Sequence, residues 1–86
     1  MRYLHTMVRI SNIDQSLDFF CNKLGMAEVR RVENTATKFT LIFLAAGEDK
    51  QAGIDTRAPL VELTYNWDPE AYAGGRNFGH LAYEVD

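Results

Sequence analysis

The chain is poor in covalent and chain-stiffening devices. A single cysteine among 86 residues excludes an internal disulfide, so no bridge framework supports the fold. No apolar run approaches the roughly 18–20 residues of a membrane span. The opening Met1-Arg-Tyr-Leu-His lacks the apolar segment of a secretion signal. Basic residues are also few. Nine Lys and Arg against twelve Asp and Glu give a net charge of −3, which offers no electrostatic footprint for nucleic acid or an anionic membrane. These absences point to a cytoplasmic protein without nucleic-acid or membrane partners. What is present is the composition of an ordinary folded domain, 47% hydrophobic, 24% charged and 12% aromatic. The length allows one small domain, which buries roughly 60–65% of the surface its unfolded chain exposes.

Residues 2–10 alternate as a strand. Tyr3, His5, Met7 and Arg9 fall on one face, and Leu4, Thr6, Val8 and Ile10 on the other. Residues 12–24 carry a helical stripe of Ile13, Leu17, Phe20, Cys21 and Leu24. Ser11 and Asp14 have capping-box spacing, with Asn12 as the rival N-cap, and Gly25 suits the C′ position. Residues 26–33 and 38–45 read as strands joined by a short polar turn. The polar stretch 47–59, with two glycines and a proline, reads as a surface loop. Residues 60–67 return to alternation, with Glu62, Thr64 and Asn66 opposite Val61, Leu63, Tyr65 and Trp67. After a second loop, 78–85 reads as a strand with Leu81, Tyr83 and Val85 facing a core and Phe78, His80, Ala82 and Glu84 opposed. The class is α+β. One helix covers one sheet face, and the other face is open, carrying His5, Arg9, Glu62, Asn66 and His80. Such a face is costly unless something fills it, which predicts a homodimer or larger assembly.

Three of those residues carry the chemistry. His5, Glu62 and His80 each sit mid-strand on the polar face, and imidazole with carboxylate suits a divalent first-row metal. Taken singly, each is equally an ordinary hydrogen-bonded or solvated residue. Arg9, Asn66 and Arg76 each lie four residues from one of the three. They suit an anionic, peptide-like ligand, although each alone reads as a surface residue. Cys21 belongs to the helix stripe and reads as core. Gly74-Gly75 lacks the following pattern of a phosphate-binding loop.

The segments LHTMVRI, DQSLDFFCNKLGM, VELTYNW and GHLAYEVD together resemble the first half of bacterial-type glyoxalase I, the lactoylglutathione lyases of the vicinal-oxygen-chelate superfamily. The resemblance runs through nearly the whole chain. It implies a βαβββ module over residues 1–77 and, over 78–86, the first strand of an incomplete second module. It implies metal ligation by His5, Glu62 and His80, with nickel or cobalt favoured and zinc as the alternative. It further implies that Arg9, Asn66 and Arg76 bind glutathione, and that the site lies between subunits of a dimer. The substrate would be the methylglyoxal–glutathione hemithioacetal and the product S-lactoylglutathione, with Glu62 moving the proton. The family's fourth ligand, a glutamate late in the second module, has no counterpart in this sequence; Glu84, on the face of His80, is a candidate substitute. The competing expectation is a non-catalytic, ligand-sequestering module of the same fold, of the bleomycin-resistance kind.

Overall fold

A computed structural model describes all 86 residues. The chain runs β1 (Arg2–Ile10), α1 (Ile13–Leu17), a π-helical turn (Asp18–Lys23), β2 (Ala27–Asn34) and β3 (Phe39–Ala45). It continues with a 3₁₀ turn (Gly47–Asp49), α2 (Lys50–Thr56), β4 (Leu60–Asn66), α3 (Gly74–Asn77) and β5 (Phe78–Glu84). The strands form one sheet in the order β2-β3-β4-β1-β5. β1 is parallel to β4 and antiparallel to β5, while β3 is antiparallel to both β2 and β4. The first four strands with α1 therefore follow a βαβββ order, and β5 occupies the edge beside β1.

The main core lies between the sheet and α1. Ile10, Ile42, Leu44 and Leu63 are buried there, and Ile13, Leu17, Phe20 and Cys21 pack down on them. Each such fully buried aliphatic side chain is worth about 1.5–3 kcal/mol. Burial also raises the Cys21 thiol above its ordinary value, as suits a core cysteine. β3 is covered on both faces, because Phe43 and Ala45 join Leu60 in a second cluster on the opposite side. That is why FTLIFLA reads as a continuous apolar run rather than as alternation.

Several local expectations are corrected. Asn12 is the N-cap, its side chain accepting from Gln15 N at 2.9 Å, and Ser11 is not. The helix does not stay α-helical to residue 24. It widens to i→i−5 bonding, as in Leu24 N to Phe19 O at 3.0 Å. The wider turn rotates the following residues, and Leu24 leaves the stripe to stand 57% exposed. The stretch 47–59 contains α2 rather than an open loop. Gly53 lets this helix approach the sheet, since a Cβ there would stand 2.9 Å from Leu60 and 3.1 Å from Ala45. In β1, an irregularity between Tyr3 and His5 breaks the alternation. Tyr3 consequently meets the Thr6 hydroxyl and the Tyr83 ring instead of sharing the face of His5. Finally, Leu81 and Tyr83 of β5, and Val85 beyond it, are exposed by half or more, because α1 covers only the strands inboard of β5. No helix is long and apolar enough to cross a membrane.

Candidate metal centre

The sheet face opposite α1 carries the polar residues. The strand registers set one row across it. Arg30 stands opposite Phe43, Phe43 opposite Glu62, Glu62 opposite Met7, and Met7 opposite His80. His5 lies two residues before Met7 on the same strand, diagonal to both Glu62 and His80. Their side chains converge. His5 Nε2 is 3.3 Å from Glu62 Oε1 and 3.4 Å from His80 Nε2. The three donor atoms lie within 4.8 Å of one another.

Their environments differ. Glu62 is 6% exposed, His5 is half-buried and His80 is exposed. A buried carboxylate needs compensation, and Glu62 receives it from the Thr64 hydroxyl, which donates to Oε2 at 3.0 Å. His5 packs edge-on against the Phe43 ring, centroids 5.6 Å apart. The His5 pKa is lowered from 6.5, first by burial; Glu62 pulls the other way, and His80 and Arg30 lower it further. A neutral imidazole is the form that ligates a metal.

The donor set fits a divalent cation. Ligands about 2.1 Å from a shared ion stand roughly 3.0–3.4 Å apart; the two separations that involve His5, 3.3 Å and 3.4 Å, fall in that range, and the Glu62–His80 separation is within 4.8 Å. Two imidazoles and one carboxylate suit nickel, cobalt or zinc without selecting among them. Thr64 supplies the outer hydrogen bond that orients a ligating carboxylate. The i+2 spacing puts Thr64 on the face of Glu62, but spacing alone assigns it no role.

The remaining candidates are engaged elsewhere. Arg9 donates to the carbonyls of Arg76 (3.2 Å) and Phe78 (3.3 Å), and the Asn77 amide donates back to the Arg9 carbonyl at 2.6 Å. The Arg76 guanidinium turns to Glu70, 2.8 Å away, which raises its pKa. Asn66 donates to the Tyr72 hydroxyl at 3.3 Å. It lines a separate cleft of about 480 Å³ with Ile10, Tyr65, Glu70 and Tyr72. The structure thus joins Arg9 to the backbone of Arg76, but no hydrogen bond links the side chains of Arg9, Asn66 and Arg76. Glu84 does not substitute as a fourth ligand. It bonds Arg2 at 2.8 Å and faces Arg57 at 4.0 Å.

A βαβββ sheet presenting a His–Glu–His cluster on the face opposite α1, which α2 covers only at one end, defines a class of small α+β proteins suited to holding a divalent metal. The chain belongs to the Glyoxalase/Bleomycin resistance protein/Dioxygenase superfamily, whose family model matches residues 2–86. It is 45% identical over 86 residues to the lactoylglutathione lyase of Neisseria meningitidis serogroup A, covering 100% of this chain and 58% of that protein. It is 41% identical over 85 residues to the probable lactoylglutathione lyase of Vibrio cholerae, covering 99% and 57%. Among solved structures it resembles the glyoxalase I of Leishmania major at TM-score 0.73 and 34% identity, covering 93% of this chain and 53% of that one. A glyoxalase I mutant from Zea mays matches at TM-score 0.65 and 28% identity, covering 79% and 22%. The chain therefore spans a little over half the length of the curated relatives it matches.

Proposed function

We propose that this chain provides the metal-binding part of a cytoplasmic lactoylglutathione lyase, which isomerises the methylglyoxal–glutathione hemithioacetal to S-lactoylglutathione. The observation that carries the reading is the His5–Glu62–His80 cluster, with donors within 4.8 Å, in a chain 45% identical to a protein of that name. In this reading residues 1–77 form the first module and 78–86 the opening strand of a second. The working unit is a homodimer or larger assembly.

A bound nickel, cobalt or zinc ion would supply a Lewis acid next to the substrate oxygens, which makes the neighbouring C–H acidic near neutral pH. The chain's own groups do the rest. His5 and His80 hold the ion as neutral imidazoles. The Glu62 carboxylate takes the proton from the carbon bearing sulfur and returns it to the adjacent carbon. The carbinol O–H proton passes to the former ketone oxygen, so the carbinol carbon becomes the thioester carbonyl, the ketone becomes an alcohol, and no outside oxidant is needed. Arg9, Asn66 and Arg76 receive the glutathione carboxylates and backbone. For Arg76 this requires exchange of its Glu70 partner, which an exposed ion pair permits at little cost.

The test is a nickel titration of the purified chain followed by a thioester assay with methylglyoxal and glutathione. Nickel bound and lost together in His5→Ala, Glu62→Gln and His80→Ala supports the site. Tight binding of an apolar ligand with no metal uptake would instead favour the sequestering module. Turnover by the chain, or by a longer protein containing it, supports the reaction; no turnover by either removes it.

A further inference from the structure

The row across the open face ends on an arginine with unused donors. The chain has six arginines. Five of them, residues 2, 9, 31, 57 and 76, face carboxylate or carbonyl oxygens. Arg30 does not. Its guanidinium carbon lies 4.1 Å from the centroid of the Phe43 ring. That ring is 3% exposed and packs on His5 from its other side of the row. Stacking engages the flat face of a guanidinium and leaves the N–H groups along its edge free, in the fork geometry that matches a carboxylate. A rigid aromatic platform also holds the side chain in place, so less freedom is lost when an anion docks. Phe43 is the direct cross-strand neighbour of Glu62. Arg30 itself stands two strands from Glu62, with Phe43 between them, so the charge lies within two strand spacings, roughly 10 Å, of the metal cluster.

We infer that Arg30, seated on Phe43, is an anion-recognition point for the metal centre, taking the carboxylate arm of a ligand whose other end occupies the His5–Glu62–His80 cluster. This deepens the proposed function and rests on it. It assigns a preference for substrates that carry an anionic group a few bonds from the metal-bound oxygens.

The test uses the nickel-loaded chain and two chelating probes, glutaric acid monohydroxamate and its terminal-amide counterpart, with dissociation constants read by calorimetry. The expected result is a roughly tenfold preference for the carboxylate probe. In Arg30→Gln that preference disappears while the amide probe binds as before. Arg30→Lys retains part of it, because the charge stays and the fork is lost. Circular dichroism confirms that the variants fold, as a change at an exposed position allows. Equal binding of both probes by the unmodified chain, or a preference that survives in Arg30→Gln, overturns the inference and leaves the metal reading standing. Failure of nickel itself to bind overturns both.

Discussion

The side chain of Met7 occupies the space that a side chain on residue 79 would need. A Cβ built on Gly79 collides with Met7 Sδ and Cε and stands 2.9 Å from the Met7 carbonyl oxygen. β5 therefore lies against β1 more closely than any larger residue permits, and the register shift between Met7 and Val8 falls at this point. The next residue along β5 is His80, 3.4 Å from His5. The approach of the two strands is what brings the second imidazole to the first.

Gly79→Ala should accordingly push β5 outward and carry His80 away from the cluster. Overpacking of this kind costs about 1–3 kcal/mol of folding stability. Its distinctive effect is on the metal. Nickel affinity should fall toward that of His80→Ala, and the double variant Gly79→Ala/His80→Ala should bind no worse than His80→Ala alone. Additive losses in that cycle would mean that Gly79 acts on stability and not through His80.

The Glu62–Thr64 contact gives a second prediction. Glu62 is 6% exposed and its Oε2 accepts only the Thr64 hydroxyl, at 3.0 Å. Thr64→Val keeps the shape and deletes the donor. The expected loss is about 1 kcal/mol of stability and roughly 10–100-fold in nickel affinity. Thr64→Ser, which keeps the hydroxyl, should retain most of both. An unchanged nickel titration in Thr64→Val would show that the hydroxyl does not hold the carboxylate in its ligating position.

Much of this was legible in the sequence, for identifiable reasons. The strands of His5, Glu62 and His80 show two-residue alternation, and alternation names a face without naming a partner. The face was therefore readable, while the convergence of three strands far apart in the chain rested on a family resemblance. α2 was missed because KQAGIDT has no apolar stripe. It is held by its own Gln51–Asp55 hydrogen bond and by contact through Gly53, neither of which leaves a periodic signal. Tyr3 was misplaced because a strand irregularity reverses the alternation before it. Arg30 gave no signal at all, since an arginine stacked on a buried ring and one lying in solvent read alike in a sequence.

The lowered proton affinity of His5 makes the metal-free chain acid-sensitive. Its folded pKa lies below 6.5, chiefly through burial, with Glu62 opposing and His80 and Arg30 adding. As acid is added, the unfolded chain takes up the imidazole proton first. The contribution is therefore fully present above the unfolded value of 6.5, falls as the pH drops toward the folded value, and levels off below it. Urea midpoints measured from about pH 7.5 down to about pH 5 should decline, and His5→Asn should flatten that part of the curve. A slope unchanged by the substitution would assign it to other groups.

The exposed apolar residues of β5 argue for self-association. Leu81, Tyr83 and Val85 are 54%, 51% and 70% exposed, and β5 is an edge strand with free backbone donors and acceptors along one side. Water does not favour such a stripe beside an open edge, and a second copy offers the same surface related by a two-fold axis. The chain should sediment as a dimer or larger species at micromolar concentration. Leu81→Lys with Tyr83→Glu should shift it toward monomer. Leu81→Lys, at an exposed position, should cost no more than about 0.5 kcal/mol of monomer stability, while Tyr83→Glu also loses the edge-on contact with the Tyr3 ring, worth about 0.5–1.5 kcal/mol. Sedimentation velocity and a urea titration on the same samples separate the two effects. A wild-type chain that stays monomeric at that concentration removes the homo-oligomer from the proposed function, and a double variant that dissociates only by unfolding places the contact elsewhere on the surface.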